Sequence, residues 1–102
     1  MTLALGRLAV LALTFMAFTV ACDQEPTTRV MRGLVVSVQV ASFSQIGSFD
    51  LRGEDGQTVN FVVEGNPGIT PSHLREHMVL AEPVTVYYHR SNDLLVATRI
   101  DD

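Results

Sequence analysis

ITPSHLREHM, residues 69–78, is the one stretch after the N-terminal apolar run that carries the signals of a helix. Thr70 suits the N-cap, where its hydroxyl can accept a backbone hydrogen bond, and Pro71 suits the first helical position. Leu74 and Met78 are four residues apart, so both should face the core from one side of the helix. The sequence therefore predicts a short helix here, with extended chain on both sides.

The chain before this helix predicts three strands, because apolar and polar side chains alternate with a period of two. The first strand starts at Val30, and Gly33 permits the bend or bulge with which small barrels turn a corner. Residues 42–47 are predicted to form a loop. The second and third strands, residues 48–52 and 58–63, are joined by an Asp-Gly turn, since that dipeptide tolerates positive φ.

Two further strands are predicted after the helix. In the fourth, residues 84–89, three side chains face inward and alternate with three that face outward: Val84, Val86 and Tyr88 against Thr85, Tyr87 and His89. The fifth strand covers residues 94–100. Its inward face stays open, since two incompatible registers are indicated, one by Leu95 and Ala97 and the other by Val96 and Ile100.

The order strand, strand, strand, helix, strand, strand predicts a mainly β fold, a small five-stranded barrel like the OB fold. Closing the sheet removes the exposed edges that a short chain would otherwise leave. Another small β-roll or sandwich remains open as an alternative. The strand motifs SFDL (48–51), EPVTV (82–86) and LVATRI (95–100) also resemble small bacterial envelope domains of unknown function with OB-like folds. Six residues are predicted to be buried in the core: Val36, Phe49, Leu51, Phe61, Leu74 and Val86.

Residues 1–21 have the features of a signal peptide for export. Arg7 supplies the positive charge, Leu8–Val20 is the apolar core, and Ala21 is a small residue before the cut. The apolar core is shorter than the roughly 20 residues that cross a bilayer. We therefore expect a cleaved signal rather than a permanent membrane helix.

The four residues TVAC, 19–22, resemble the lipobox of bacterial lipoproteins. The resemblance implies that Cys22 becomes the mature N-terminus and carries acyl chains such as palmitate. The sequence departs from that pattern at Thr19, where an aliphatic residue is usual. The alternative is ordinary secretory cleavage after Ala21, which would leave one unpaired thiol in an oxidising compartment.

A lipidated Cys22 would hold the protein on the outer face of the cell membrane, periplasmic or extracellular, because two or more acyl chains anchor stably. Residues 22–29 would form a short tether and residues 30–102 the OB-like domain. Asp23 resembles the residue that retains lipoproteins in the inner membrane of enterobacteria. We therefore expect the inner membrane rather than the outer membrane.

Composition and motifs exclude several classes of function. The net charge is −4 and the seven basic residues are all arginine. This acidic balance argues against nucleic acid as a partner, because phosphate backbones are bound by clustered basic side chains. The sequence contains no Gly-rich phosphate loop, CxxC pair or Gly-x-Ser-x-Gly elbow. We therefore expect no enzymatic activity and no cofactor.

The helix carries one chemical motif, since residues 73–77 spell H-x-x-E-H. This motif resembles the zinc signature of the inverted zincin peptidases, in which two histidines hold the metal and the glutamate acts as base. Those peptidases are much larger and resemble this chain nowhere else. The match is therefore interpreted as a chance occurrence of a short motif rather than as evidence of a peptidase.

A simpler metal hypothesis remains. His73 and His77 would share a helix face and could hold zinc or copper, with Glu76 or Met78 as a further ligand or His89 if the fold brings it near. A pair of surface histidines is a weak site without a third convergent ligand. The favoured interpretation from sequence alone is therefore that these histidines are ordinary solvated residues.

Two aromatic residues are candidates for contact with a partner. Phe43 lies in a predicted loop and Tyr87 faces outward on the fourth strand, whereas Phe49 and Phe61 occupy inward positions. The sequence thus predicts a non-enzymatic, membrane-anchored binding module of the cell envelope that contacts another envelope protein or a small polar ligand. The alternative function is metal binding by His73 and His77.

Overall fold

The computed structural model describes residues 27–102 as five strands and one helix. In chain order these are β1 (Arg29–Ser42), β2 (Gln45–Gly53), β3 (Thr58–Val63), α1 (Pro71–Leu80), β4 (Val84–Ser91) and β5 (Leu94–Asp101). The strands close into a barrel in the order β1-β2-β3-β5-β4. All neighbouring strands are antiparallel except β3 and β5, which are parallel. The predicted mainly β fold, a small five-stranded barrel with its helix between the third and fourth strands, is confirmed.

The barrel closes because β1 pairs with two neighbours. Its first part, up to Gly33, pairs with β4, and the part from Gly33 onward pairs with β2. A Cβ atom at Gly33 would collide with the carbonyl oxygen of Arg52 on β2. Glycine is therefore required at the corner where β1 passes from one neighbour to the other, which is where the sequence predicted a bend.

The prediction that Val36 is buried is wrong. Val35 pairs with Leu51 and Ser37 pairs with Asp50, so Val36 is the extra residue of a β-bulge. Val35 is buried at 3% exposure, whereas Val36 is 36% exposed. A bulge shifts the alternation of a strand by one residue, so a strict period of two assigns one part of β1 to the wrong face.

The predicted loop at residues 42–47 is also too long. β1 continues to Ser42 and β2 begins at Gln45, so the turn consists of Phe43 and Ser44 alone. Ile46 lies within β2 and is buried at 4% exposure. Strand pairing here overrides the polar and flexible composition that favoured a loop.

The structure resolves the two registers of β5. Tyr87 pairs with Arg99 and Tyr88 pairs with Ala97, which leaves Thr98 as a bulge. The Thr98 hydroxyl donates to the Tyr87 carbonyl oxygen at 3.3 Å. Leu95 and Ala97 face the core before this bulge and Ile100 faces it after the bulge, whereas Val96 is buried outside the main core cluster.

The barrel interior contains the other five residues predicted for the core. All are fully buried at 0% exposure: Phe49, Leu51, Phe61, Leu74 and Val86. The Phe61 ring stacks on Phe49 at 5.4 Å between centroids and meets Tyr88 edge-on at 4.9 Å. α1 inserts Leu74 into this core and packs against β1.

No helix within residues 27–102 is long and apolar enough to span a membrane. The predicted signal peptide, the lipidation site Cys22 and the start of the tether lie outside the described residues.

Candidate metal centre

His73 and His77 lie one turn apart on α1, and the start of this helix fixes their position. Thr70 is the N-cap, as predicted, and its Oγ1 accepts a hydrogen bond from the His73 backbone N–H at 3.2 Å. The two imidazole rings lie 5.0 Å apart between centroids. The His77 side chain is 10% exposed and that of His73 is 45% exposed, so the pair lies at the edge of the core.

Asp102, which follows the end of β5, brings a carboxylate to both histidines. Its Oδ2 lies 2.8 Å from His73 Nε2 and 3.3 Å from His77 Nε2. The neighbouring Asp101 points elsewhere and forms an ion pair with Arg99 at 2.8 Å. Consecutive strand residues point to opposite faces, so only the second of the two aspartates reaches α1.

The β3–α1 loop holds the end of β5 in place beside the helix. The Ile100 backbone N–H donates to the Pro67 carbonyl oxygen at 2.9 Å. Ile100 itself is buried at 3% exposure. The backbone two residues before Asp102 is thus fixed by both packing and hydrogen bonding.

The outer nitrogens of the two rings also face oxygen acceptors. His77 Nδ1 lies 3.3 Å from the Glu82 carbonyl oxygen, and His73 Nδ1 lies 3.8 Å from Glu76 Oε1. The Glu82 contact depends on the helix end, where Ala81 adopts a left-handed conformation with φ of 56°. That conformation turns the chain back, and the Glu82 N–H then donates to the His77 carbonyl oxygen at 2.9 Å.

The hydrogen-bond partners of His77 would suit a cation between this imidazole and Asp102. A neutral imidazole carries one N–H and one bare nitrogen. For His77, Nδ1 must carry the hydrogen, because a carbonyl oxygen can only accept. Nε2 then presents its lone pair towards a carboxylate oxygen, and a metal ion between these two atoms would make the contact favourable.

The carboxyl group of Asp102 is held in its charged form. The hydrogen bond with His73 lowers its pKa below the usual value, and bonds from its own backbone N–H and from His77 lower it further. A carboxylate must be ionised to coordinate a metal. Asp102 is therefore ionised, and a metal ion bound here would replace the hydrogens of the two imidazoles that lower its pKa.

The three side chains lie close enough together to form a possible metal site. One ligand atom from each of the three lies within 4.8 Å of the other two. A tetrahedral zinc ion with bonds of 2.0–2.1 Å separates its ligands by about 3.3 Å. His73 Nε2 and Asp102 Oδ2, now 2.8 Å apart, would have to separate by about 0.5 Å to share such an ion. The contact of His77 Nδ1 with the Glu82 carbonyl oxygen, at 3.3 Å, matches the outer hydrogen bond that orients histidine ligands in metal sites, whereas His73 Nδ1 lies 3.8 Å from Glu76 Oε1, too far for a hydrogen bond.

An open groove of about 690 Å³ adjoins this cluster. Its walls come from the β1–β2 turn, the β3–α1 loop and the end of β5, and it includes His73 and Asp102 but not His77. The loop turns sharply at Gly65 and Gly68, whose φ values are 70° and 91°. Asn66 Oδ1 accepts a hydrogen bond from the Gly68 N–H at 2.9 Å and so braces this loop.

Of the ligand candidates predicted from the sequence, only the two helix histidines lie in the cluster. His73 and His77 come together as predicted, but the third group is Asp102 rather than any of those named from the sequence. Glu76 contacts only the outer nitrogen of His73, and Met78 packs against the core. His89 lies on β4 opposite Val96 and is not part of the cluster.

The two predicted aromatic contacts differ in exposure. Phe43 forms the β1–β2 turn and is 95% exposed. Tyr87 is half-buried, and the Arg99 guanidinium lies over its ring at 4.9 Å. Phe43 is therefore free to meet a partner, whereas Tyr87 is already covered on one face by its own chain.

Asp102 could not be found from the sequence, although one signal was present. Two consecutive acidic residues follow the last strand, and one of them must face the helix if the strand passes beside it. The register of β5 was open, so neither aspartate could be assigned to that side.

Comparison with known proteins gave no match with any family model, curated protein or solved structure.

Proposed function

We propose that this chain is a non-enzymatic metal-binding module that holds one zinc or copper(II) ion between His73, His77 and Asp102. The observation that carries the proposal is the contact of Asp102 Oδ2 with the Nε2 atoms of both histidines, at 2.8 and 3.3 Å. A two-histidine pair becomes a credible site when a third ligand converges on it. The function expected only as an alternative from the sequence thus becomes the favoured one.

The donor set selects the class of metal. Two imidazole nitrogens and one carboxylate oxygen suit zinc and copper(II), whereas copper(I) prefers thiolate and thioether ligands. Calcium takes six to eight oxygen ligands, so it should bind poorly here. The half-exposed His73 and Asp102 give an ion a path from solvent to the site.

Calorimetric titration of zinc into the purified full chain tests this proposal. The chain should carry Cys22→Ser, so that no thiol competes for the metal. We expect one ion per chain, and calcium should give no comparable signal. His73→Ala and Asp102→Asn alter half-exposed side chains, so the fold should survive, and each should weaken zinc binding by about a hundredfold or more.

His89→Ala is the matched control, since it removes the remaining histidine of the chain from a strand away from the cluster. It should leave zinc affinity unchanged. Equal affinity in the wild type and in Asp102→Asn would refute the three-ligand site. Loss of affinity in His89→Ala would point to a different set of ligands.

We further propose that the module is anchored to the outer face of the cell membrane through lipid on Cys22. The support is the signal-like stretch 1–21 and the lipobox-like TVAC, both in the sequence. Metabolic labelling with palmitate, followed by membrane fractionation, tests the lipid anchor and the membrane location. Wild-type protein should carry the label and sediment with membranes, and Cys22→Ser should do neither.

A second candidate function, contact with another envelope protein, rests on Phe43. This ring is 95% exposed in the β1–β2 turn, and no charged residue occurs between Arg32 and Asp50. Exposed aromatic side chains in uncharged surroundings are typical anchors of interfaces. Cross-linking in native membranes should yield a defined product that Phe43→Ser abolishes. Val79→Ser, at a residue 77% exposed on α1, is the matched control and should leave that product intact.

A further inference from the structure

We infer that the metal held by His73, His77 and Asp102 takes a small carboxylate from the adjoining groove as its remaining ligand. This inference rests on the proposed function, because the groove offers no site for an anion without the metal.

The orientation of the cluster leaves one side of the metal open. His77 is nearly buried and does not line the groove, whereas His73 and Asp102 form part of its wall. Three protein ligands fill three positions around a tetrahedral ion and leave the fourth for an external ligand. That fourth position therefore opens towards the groove.

The charge of the loaded centre favours a monoanion. A divalent ion with one aspartate and two neutral imidazoles carries a net charge of about +1. The Glu76 and Glu82 carboxylates lie 3.8 Å from the outer nitrogens of the two imidazoles, so the centre could neutralise one negative charge at most and would disfavour a dianion. None of the described residues lining the groove is lysine or arginine, the side chains that usually stabilise the higher charge of a phosphate. The metal alone would therefore supply the attraction for an anion.

The groove also offers neutral hydrogen-bond donors for the second oxygen of a carboxylate. Gln45 lies at the start of β2 and Asn66 lies in the β3–α1 loop, and both line the groove. Asn66 uses its Oδ1 to accept from Gly68, so its amide N–H groups remain to donate. The volume of about 690 Å³ leaves room for a small organic acid beside the metal.

Cobalt(II) in place of zinc makes this binding visible, because its absorption bands respond to the ligands of the metal. The full chain carrying Cys22→Ser is loaded with cobalt and titrated with acetate. We expect a saturable change in the visible spectrum, and no acetate binding by the metal-free chain. Gln45→Leu should weaken acetate binding about tenfold without changing cobalt affinity.

Gln57→Leu is the matched control, since Gln57 is exposed in a second hollow near Glu54 and Asp55 that none of the metal ligands lines. It should leave acetate binding unchanged. Cobalt binding without any response to acetate would overturn this inference alone, as would equal acetate binding by the metal-free chain. Failure of cobalt and zinc to bind would overturn the proposed function itself.

Discussion

Asp50, on the outer face of β2, is a carboxylate that hydrogen bonds from two neighbouring strands keep in its ionised form. The Ser37 hydroxyl donates to its Oδ2 at 2.7 Å, and the Asn60 side-chain amide donates to its Oδ1 at 2.9 Å. The bond from Asn60 has the largest effect on the pKa of Asp50 and lowers it, and the bond from Ser37 lowers it further. These three residues tie β1, β2 and β3 together on the outer surface.

A pH dependence follows from the lowered pKa of Asp50. Its folded-state pKa lies below the ordinary value of 3.8, so this group stabilises the fold above that pH. The contribution is lost as the pH falls through the lower folded-state pKa. Asn60→Ala should move the pKa of Asp50 upward towards its ordinary value, and Ser37→Ala should move it less. Carboxyl carbon NMR titration measures both shifts. An unchanged pKa of Asp50 in Asn60→Ala would contradict the claim that the hydrogen bond from Asn60 lowers this pKa.

At the scale of elements, α1 is the part of the candidate site that could be predicted. The N-cap, the proline at the start of the helix and the shared face of His73 and His77 all follow from local rules of helix formation. The third ligand depends on where β5 ends relative to the helix. The bulge at Thr98 shifts that strand by one residue, and no local pattern indicates a bulge before pairing is known.

The N-cap offers a test of how α1 supports the histidines. Thr70→Ala removes the acceptor for the His73 N–H, so we expect a loss of about 1 kcal/mol in the free energy of unfolding. Thr70→Ser keeps the hydroxyl and should retain most of the stability. Chemical denaturation of the two variants measures the difference. Equal destabilisation by both would show that the threonine methyl group, rather than the cap, is responsible.

At the scale of the molecule, the order of elements and most of the core could be predicted, because alternation and turn signals are local. Two local predictions were wrong: Val36 is not buried, and Ile46 lies in a strand rather than in a loop. In each case the error came from pairing, since a bulge displaced one residue and strand pairing absorbed a stretch of apparent loop. The sequence thus indicated the barrel, while the contacts between distant strands determine its details.

The core and the surface can be compared with two substitutions of the same residue type. Phe61→Ala removes a fully buried ring that contacts Phe49 and Tyr88, so we expect a loss of about 3 to 5 kcal/mol in unfolding free energy. Phe43→Ala removes an exposed ring and should change stability by no more than about 0.5 kcal/mol. Thermal or urea denaturation measures both. Similar stability of the two variants would contradict the described barrel interior.

The central claim is that one metal ion joins α1 to the end of β5 through His73, His77 and Asp102. X-ray absorption at the zinc edge, on the full chain carrying Cys22→Ser and loaded with one equivalent of zinc, tests it most directly. We expect two imidazole nitrogens and oxygen ligands at about 2.0–2.1 Å, with one imidazole lost in His73→Ala. A zinc shell with fewer than two imidazoles, or one unchanged in His73→Ala, would contradict the proposed centre.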